Sequence, residues 1–222
     1  MTTELDEART CFVCGQTHEY TVLGSTNEFG PPDLDMRPPE MARSTIDCWI
    51  QRCPSCGYCA PDIRDGPELA AEVVKMETYS AQNSDDTYPD LANKFLCSAL
   101  VYEAAGDPVA AGFSAVRAAW ACDDAQAESA AIKARQQALA YFERARAEKI
   151  VFADQLGLEE AIIADLLRRS GRFDEVEAIC EEGLAKSPEE VVAQVLRYQE
   201  SLARAEDTGC YTIADATETA GN

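Results

Sequence analysis

Two short cysteine motifs, Cys11-Phe-Val-Cys14-Gly15 and Cys53-Pro-Ser-Cys56-Gly57, are separated by 38 residues from Cys14 to Cys53. Each motif can fold into a knuckle, a tight turn that directs backbone N–H groups at the thiolates and gives glycine a φ that other residues resist. Two knuckles together supply four thiolates in a tetrahedron, the arrangement that Zn²⁺ prefers. We therefore predict that Cys11, Cys14, Cys53 and Cys56 bind one structural zinc ion.

The segments beside the knuckles alternate apolar and polar residues, which predicts short β-strands. Thr17 to Leu23 follows the first knuckle, and Ile46 to Arg52 leads into the second. Together with the knuckles, these strands predict a small zinc ribbon over residues 1–66. His18 lies four residues after Cys14, and we expect it to face solvent rather than bind the metal.

The same four cysteines allow iron or redox chemistry as an alternative. The motif Cys-Pro-x-Cys-Gly also describes the rubredoxin iron site, although a rubredoxin has a shorter insert and an aromatic core. Cys48-x4-Cys53-x2-Cys56 matches a plant ferredoxin run, and Cys53-x2-Cys56-x2-Cys59 begins the bacterial one, but Ile63 stands where the bacterial pattern needs its fourth cysteine. Thiol redox chemistry at Cys53 and Cys56 requires a helix directly after them, and Gly57 to Pro61 does not start one.

The other thiols are interpreted as packing residues where they lie beside apolar neighbours. Cysteine behaves as a small hydrophobe in such surroundings. Cys48 is expected to share a strand face with Ile46 and Ile50. The roles of Cys59 and Cys210 stay open, and those assigned to helix packing are Cys97, Cys122 and Cys180.

From Gly66 onward the composition changes to Ala, Leu, Glu and Arg, with apolar residues at helical spacing. The fold class predicted is α+β, mostly α: the zinc ribbon, a helical domain over 67–205, and a tail over 206–222. The tail is expected to be disordered, although Tyr211 and Ile213 could dock on the last helix. Helices are predicted at 67–80, 90–105, 108–122, 125–149, 157–170, 173–186 and 189–205.

A weak internal repeat surrounds Gly106 and Gly171. Small residues at matching offsets would let antiparallel helices approach closely, and glycine permits the tight turn between them. This layout resembles the tetratricopeptide helix-turn-helix and predicts an antiparallel array. The segment 123–156 departs from it, and an irregular bundle is the alternative.

An array of this kind leaves a groove lined by the first helix of each pair, here 90–105 and 157–170. Such grooves take up peptides or partner helices, so we expect a protein partner. We expect core positions at Phe95, Tyr102, Ile163 and Leu167, and exposed partner contacts at Asn93, Lys94, Asp165 and Arg168.

The loop between the knuckles, Pro31 to Met41, is rich in proline. Polyproline stiffness favours a rigid wrap that packs Leu34 and Met36 on the ribbon while Asp35 pairs with Arg37. The alternative is a functional loop that offers Asp33 and Asp35 to a cation.

The net charge and the residue types present exclude several functions. The chain has 19 Lys and Arg against 40 Asp and Glu, a net charge of −21. This charge repels nucleic acid and anionic membranes, and it favours a partner with a basic segment. A single His, no phosphate loop and no nucleophile elbow indicate a protein that is not an enzyme. The acidic first ten residues and the lack of a membrane-length apolar run predict a cytoplasmic protein.

These motifs together resemble an uncharacterised bacterial family that has an N-terminal zinc ribbon followed by tetratricopeptide-like helices. The resemblance is carried by CFVCG, PPDLDMRPPEM, IDCWIQ, CPSCGY and the Ala-rich helices, and extends to about residue 205. It implies the same four cysteine ligands. It implies nothing about activity, because the family is of unknown function.

Overall fold

The computed structural model describes residues 2–219, which form mainly helices with two small antiparallel sheets. The predicted class, α+β and mostly α, is confirmed. The strands are β1 (Thr3–Thr10), β2 (Thr17–Ser25), β3 (Gln51–Arg52) and β4 (Cys59–Ala60). The helices are α1 (Ala70–Val73), α2 (Glu77–Asn83), α3 (Asp90–Ala104), α4 (Pro108–Asp124), α5 (Glu128–Ala147), α6 (Leu158–Arg169), α7 (Phe173–Ala185), α8 (Glu190–Arg204) and α9 (Ile213–Thr219).

The chain divides into two compact units. The first comprises the residues up to Glu28 together with Glu40–Tyr141, and the second comprises Phe29–Pro39 together with the residues from Phe142 onward. This division differs from the predicted boundary at residue 66, because the ribbon shares one unit with helices α1 to α4. Their common core explains the difference, since Tyr20 and Tyr58 are buried with Tyr79 and Val101.

The β1–β2 hairpin was predicted only in its second half. The expected strand Thr17 to Leu23 is present within β2, whose Tyr20 and Val22 are buried. Strand β1 pairs with it in register from Glu4 opposite Leu23 to Thr10 opposite Thr17. The β1 segment was missed because its mostly exposed, acidic sequence shows no apolar alternation.

The predicted strand from Ile46 to Arg52 is wrong over most of its length. Residues Arg43–Trp49 form a 3-10 helix, and only Gln51–Arg52 is extended. Thr45 and Ile46 are both buried although they are adjacent, which a strand with one buried face does not allow. The side chain of Thr45 stabilises the turn by donating to Ala42 O at 2.8 Å and accepting from Trp49 Nε1 at 2.9 Å.

Helices α3 to α8 agree with the predicted ranges to within three residues. The helix predicted at 67–80 is instead two short helices, α1 and α2, because the backbone at Met76 is extended. Helices α3 and α4 are connected by a three-residue turn, so they are antiparallel neighbours. Small residues with at most 1% exposure allow their close approach: Ala92, Ala99, Ala111, Ala115 and Ala118.

The two glycine turns of the predicted repeat have the same hydrogen bonds. Gly106 has φ +77°, and Asp107 N donates to Tyr102 O at 2.9 Å. Gly171 has φ +73°, and Arg172 N donates to Leu167 O at 2.9 Å. Both are glycine helix ends in which the last carbonyls accept N–H groups from beyond the helix.

The expectation of a disordered tail is wrong for residues up to Thr219. Residues Ile213–Thr219 form α9, and Ile213 N donates to Pro32 O at 3.0 Å. The rings of Tyr198 on α8 and Tyr211 meet edge to face at 5.6 Å, so the suggested docking of Tyr211 is confirmed. The part of this prediction that concerns residues 220–222 lies outside the described residues.

Arg168 and Asp165 are buried, not exposed as predicted. Arg168 is 0% exposed and donates to Asp165 Oδ1, Gln199 Oε1 and Asp207 O at 2.6 to 2.7 Å. Asn93 is also buried, so three of the four expected partner contacts are wrong. The hydrophilic side chains pair with one another inside the fold, which periodicity does not reveal. Three of the four predicted core residues are buried, namely Phe95, Ile163 and Leu167, while Tyr102 is half-buried.

Residues Phe29–Pro39 of the inter-knuckle loop belong to the second unit, and the expectation that the loop packs on the ribbon stays a prediction. Leu34 is buried, but Met36 is 39% exposed. Asp35 forms an ion pair with Arg169 at 3.4 Å, and it also accepts the backbone N–H of Arg37 at 3.2 Å.

Candidate metal centre

The first cysteine motif forms the tip of the β1–β2 hairpin. Cys11 N donates to Gln16 O at 2.9 Å, and Gly15 N donates back to Cys11 O at 2.9 Å. Gly15 has φ +69°, in the left-handed region that favours glycine. The strand pairing therefore ends where the chain turns around the two thiols.

The second motif repeats this geometry at the tip of the β3–β4 hairpin. Cys53 N donates to Tyr58 O at 2.8 Å, Gly57 N donates to Cys53 O at 2.9 Å, and Gly57 has φ +77°. The two knuckles thus share the same hydrogen bonds at equivalent positions, as the identical Cys-x2-Cys-Gly spacing predicts.

The four thiols come together where the two knuckles face each other. Cys11 Sγ lies 3.7 Å from Cys56 Sγ, and Cys14 Sγ lies 3.6 Å from Cys53 Sγ. A tetrahedron of sulfurs about 2.3 Å from a zinc ion has edges of about 3.8 Å. Both distances are close to that edge and far from a disulfide bond length of about 2.05 Å.

All four ligand atoms lie within 4.8 Å of one another, and they form the only potential metal-binding group of three or more His, Cys, Asp or Glu residues found among residues 2–219. The first cysteine of each knuckle is buried, with Cys11 2% and Cys53 0% exposed, whereas Cys14 and Cys56 are half-buried. The site therefore lies at the edge of the core, with one side toward solvent.

The protein surroundings make it unfavourable for all four thiols to be ionised at the same time. Burial raises the pKa of the Cys11 and Cys56 thiols. Burial also acts on Cys53, but the backbone N–H groups of Cys56 and Ser55 lower its pKa overall. A divalent cation among the sulfurs would favour the ionised form of all four.

Two side chains near the site were not assigned to it from the sequence. His18 Nε2 lies 2.8 Å from Ser55 Oγ, so this half-buried His connects the hairpin of the first knuckle to the second knuckle without joining the thiol cluster. Burial raises the pKa of the Tyr20 hydroxyl, and the nearby Cys53 and Cys11 sulfurs raise it further. The alternating pattern of β2 indicates that Tyr20 is buried, but only the tertiary structure shows which groups it faces.

The remaining thiols lie outside the cluster. Cys97, Cys122 and Cys180 are 0% exposed, in agreement with packing roles, and burial raises the pKa of Cys122 and Cys180 to about 12. Cys48 lies in the 3-10 helix rather than on a strand, and burial raises its pKa to about 11. Of the two cysteines with open roles, Cys59 is buried and Cys210 donates to Asp33 Oδ2 at 3.3 Å.

Comparisons with protein-family models, with curated proteins and with solved structures found no match to this chain. The resemblance to the uncharacterised bacterial family therefore stays a prediction. Within residues 2–219, none of the helices is long and apolar enough to cross a membrane.

Proposed function

We propose that this protein is a zinc-binding scaffold without enzymatic activity, in which a structural zinc ribbon is joined to a tetratricopeptide-like interaction domain. The observation that carries the proposal is the convergence of four cysteine thiols from two hairpin tips of the same geometry. No other group of donors among the described residues offers a comparable metal site.

The donor set favours a structural ion over a catalytic one. A catalytic zinc is held by three protein ligands and keeps a fourth position for water or substrate, whereas four cysteines fill every position. The bound ion would also stabilise hairpins that have little regular structure of their own. Strands β3 and β4 have two residues each, and an isolated hairpin is at best marginally stable. Zinc binding contributes on the order of 10–16 kcal/mol in small thiolate sites.

The helical residues support the scaffold part of the proposal. The equivalent turns at Gly106 and Gly171 each connect an antiparallel helix pair, α3 with α4 and α6 with α7. A repeated helix pair is the unit from which tetratricopeptide arrays are built. The net charge of −21 favours a protein partner with a basic segment and disfavours nucleic acid.

Metal analysis tests this proposal against the alternative of a rubredoxin-like iron or thiol-redox protein. Protein purified from zinc-supplemented and from iron-supplemented cultures should contain one zinc ion per chain and be colourless. A coloured protein with one iron per chain from both cultures would instead support electron transfer, because iron tetrathiolates absorb visible light and zinc does not.

Crosslinking in the native host, with a Cys53→Ser variant as the comparison, tests for the partner.

A further inference from the structure

The second unit contains an apolar cavity that the proposed metal site does not explain. Its volume is about 270 Å³, and its walls come from three helices and the inter-knuckle loop. For comparison, an apolar cavity of about 150 Å³ is large enough to bind benzene. The lining includes Leu34 and Met36 of the loop, Leu158 of α6, Val192 and Val195 of α8, and Ile213 of α9.

Two apolar residues of the lining are also exposed on the surface. Met36 is 39% exposed and Val191 is 48% exposed. Met36 has φ +67°, a conformation that costs energy in a residue other than glycine. Two hydrogen bonds hold it there: Met36 N donates to Asp33 O, and Asp33 N donates to Arg37 O, both at 2.9 Å. The loop thus maintains an unfavourable backbone conformation that leaves an apolar side chain beside the cavity.

Exposed apolar side chains are concentrated in this unit. Of the nine large hydrophobic residues exposed in the described chain, six belong to the second unit: Phe29, Met36, Ile150, Val151, Leu156 and Val191. Met36 and Val191 of this group line the cavity, and exposed apolar side chains beside a cavity are typical of protein interaction sites.

The charges near the cavity identify the kind of partner that it fits. Glu189 is the charged residue of the lining, and Arg37 is the one basic residue next to a lining residue in the sequence. The acidic residues in such positions are Asp33, Asp35, Asp154, Glu159, Glu160 and Glu190. Residues 29–39 and 142–222 carry 20 Asp and Glu against 10 Lys and Arg. A second copy of this acidic unit would be repelled, whereas a basic segment would be attracted.

We infer that this cavity receives a large apolar side chain, such as leucine or phenylalanine, from a basic amphipathic segment of a partner protein. The inference rests on the scaffold function proposed above, and it specifies the chemistry of the partner and the place where it docks. The apolar side chain supplies the affinity, and the basic residues beside it are attracted to Glu189 and to the acidic residues next to the lining.

A pair of synthetic peptides separates the contribution of the apolar side chain from that of the basic residues. The probes are a fluorescent synthetic helix of Lys and Leu, with the leucines on one face, and the same helix with every Leu replaced by Ala. Their binding to the full-length, metal-loaded protein is measured by fluorescence anisotropy. We expect the Lys/Leu helix to bind about tenfold more tightly or better, because only leucine fills the cavity. Equal binding of the two helices, or no binding of the Lys/Leu helix, would overturn the inference.

Two matched variants locate the binding to the cavity. Val191→Asp places a charge at its mouth, and Val151→Asp makes the same change at a valine that is 74% exposed and outside the lining. We expect about tenfold weaker Lys/Leu binding for Val191→Asp and unchanged binding for Val151→Asp. Charge attraction alone predicts equal or tighter binding in both variants, and that result would contradict the inference. If Val191→Asp does not fold, Met36→Gln makes the same test.

The outcome also separates this inference from the scaffold proposal. A native partner that crosslinks equally well to the Val191→Asp variant would leave the scaffold function standing and overturn the docking site. A protein that binds no partner and holds no zinc would overturn the scaffold function, whatever the peptide result.

Discussion

Cys14 Sγ lies 3.6 Å from Cys53 Sγ, although 38 residues separate them in the sequence. The second short distance, between Cys11 and Cys56, is 3.7 Å. In both pairs the buried cysteine of one knuckle meets the half-buried cysteine of the other. The thiols of the two hairpin tips therefore face each other crosswise, so an ion bound among them would connect the hairpins.

Metal affinity should increase steeply with pH. Thiols must lose their protons to bind zinc, and burial raises the pKa of Cys11 and Cys56, so these two carry protons at neutral pH when no ion is bound. Each proton released on binding makes the apparent association constant rise about tenfold per pH unit, so Cys11 and Cys56 together should make it rise at least about a hundredfold per pH unit below their pKa values. Competition with a metallochromic chelator between pH 6 and 8 measures the slope. A pH-independent affinity would contradict thiolate ligation.

Arg168→Ala should destabilise the second unit by about 3–5 kcal/mol. The substitution leaves the carboxylate of Asp165, which is 1% exposed, buried without its cation. The matched control is Arg172→Ala, which breaks the partly exposed pair with Glu175 at 2.6 Å and should cost about 0–1 kcal/mol. Chemical denaturation of the full-length protein compares the two. Similar costs for both variants would show that the buried network adds no stability.

Glycine substitutions at helix ends should change stability in opposite directions. Gly171→Ala should lower the free energy of unfolding by about 1–2 kcal/mol, because alanine is strained at φ +73°. No atom lies within 4 Å of the added Cβ, so this backbone strain is the whole cost. Lys149 has φ +60° just after α5, so Lys149→Gly should raise the free energy of unfolding by about 0.5–1 kcal/mol.

The control for Lys149→Gly is the same substitution at Lys133, an exposed position inside α5. There glycine should destabilise the protein by about 1 kcal/mol. Thermal unfolding distinguishes the three variants, and a loss of stability in Lys149→Gly would contradict the backbone argument.

Salt should stabilise the protein. With 40 acidic and 19 basic side chains, repulsion between like charges opposes the folded state. Screening weakens this repulsion, so raising NaCl from 0.02 to 0.3 M should raise Tm by about 5 °C. Differential scanning calorimetry of the metal-loaded protein measures the shift, and a constant or falling Tm would show that the surface charges do not govern stability.

The sequence predicted the features that depend on neighbouring residues. Cysteine spacing and glycine identity determine a knuckle within five residues, so both turns at Gly15 and Gly57 were foreseen. The ranges of α3 to α8 followed from apolar periodicity together with glycine and proline at their ends.

Features that depend on distant partners were missed. Strand β1 is ordered by its pairing with β2, and its own residues are mostly exposed. The 3-10 helix depends on side-chain hydrogen bonds of Thr45 that alternation does not report. The tail is held by Arg168, which lies 39 residues before the Asp207 carbonyl that it contacts. Hydrophilic residues that pair inside a fold have the same sequence pattern as residues that face solvent.

A comparison of the zinc content of Cys53→Ser with that of Cys180→Ser tests most directly the claim that the four knuckle cysteines bind zinc. Both cysteines are 0% exposed, so the two variants make the same change at the same depth of burial. Elemental analysis after size-exclusion chromatography should find one zinc per chain in the wild-type protein and in Cys180→Ser. Cys53→Ser should hold less than about a tenth of that amount and lose the order of its hairpins, because three thiolates cannot complete the tetrahedron. Full zinc occupancy in Cys53→Ser would contradict the account.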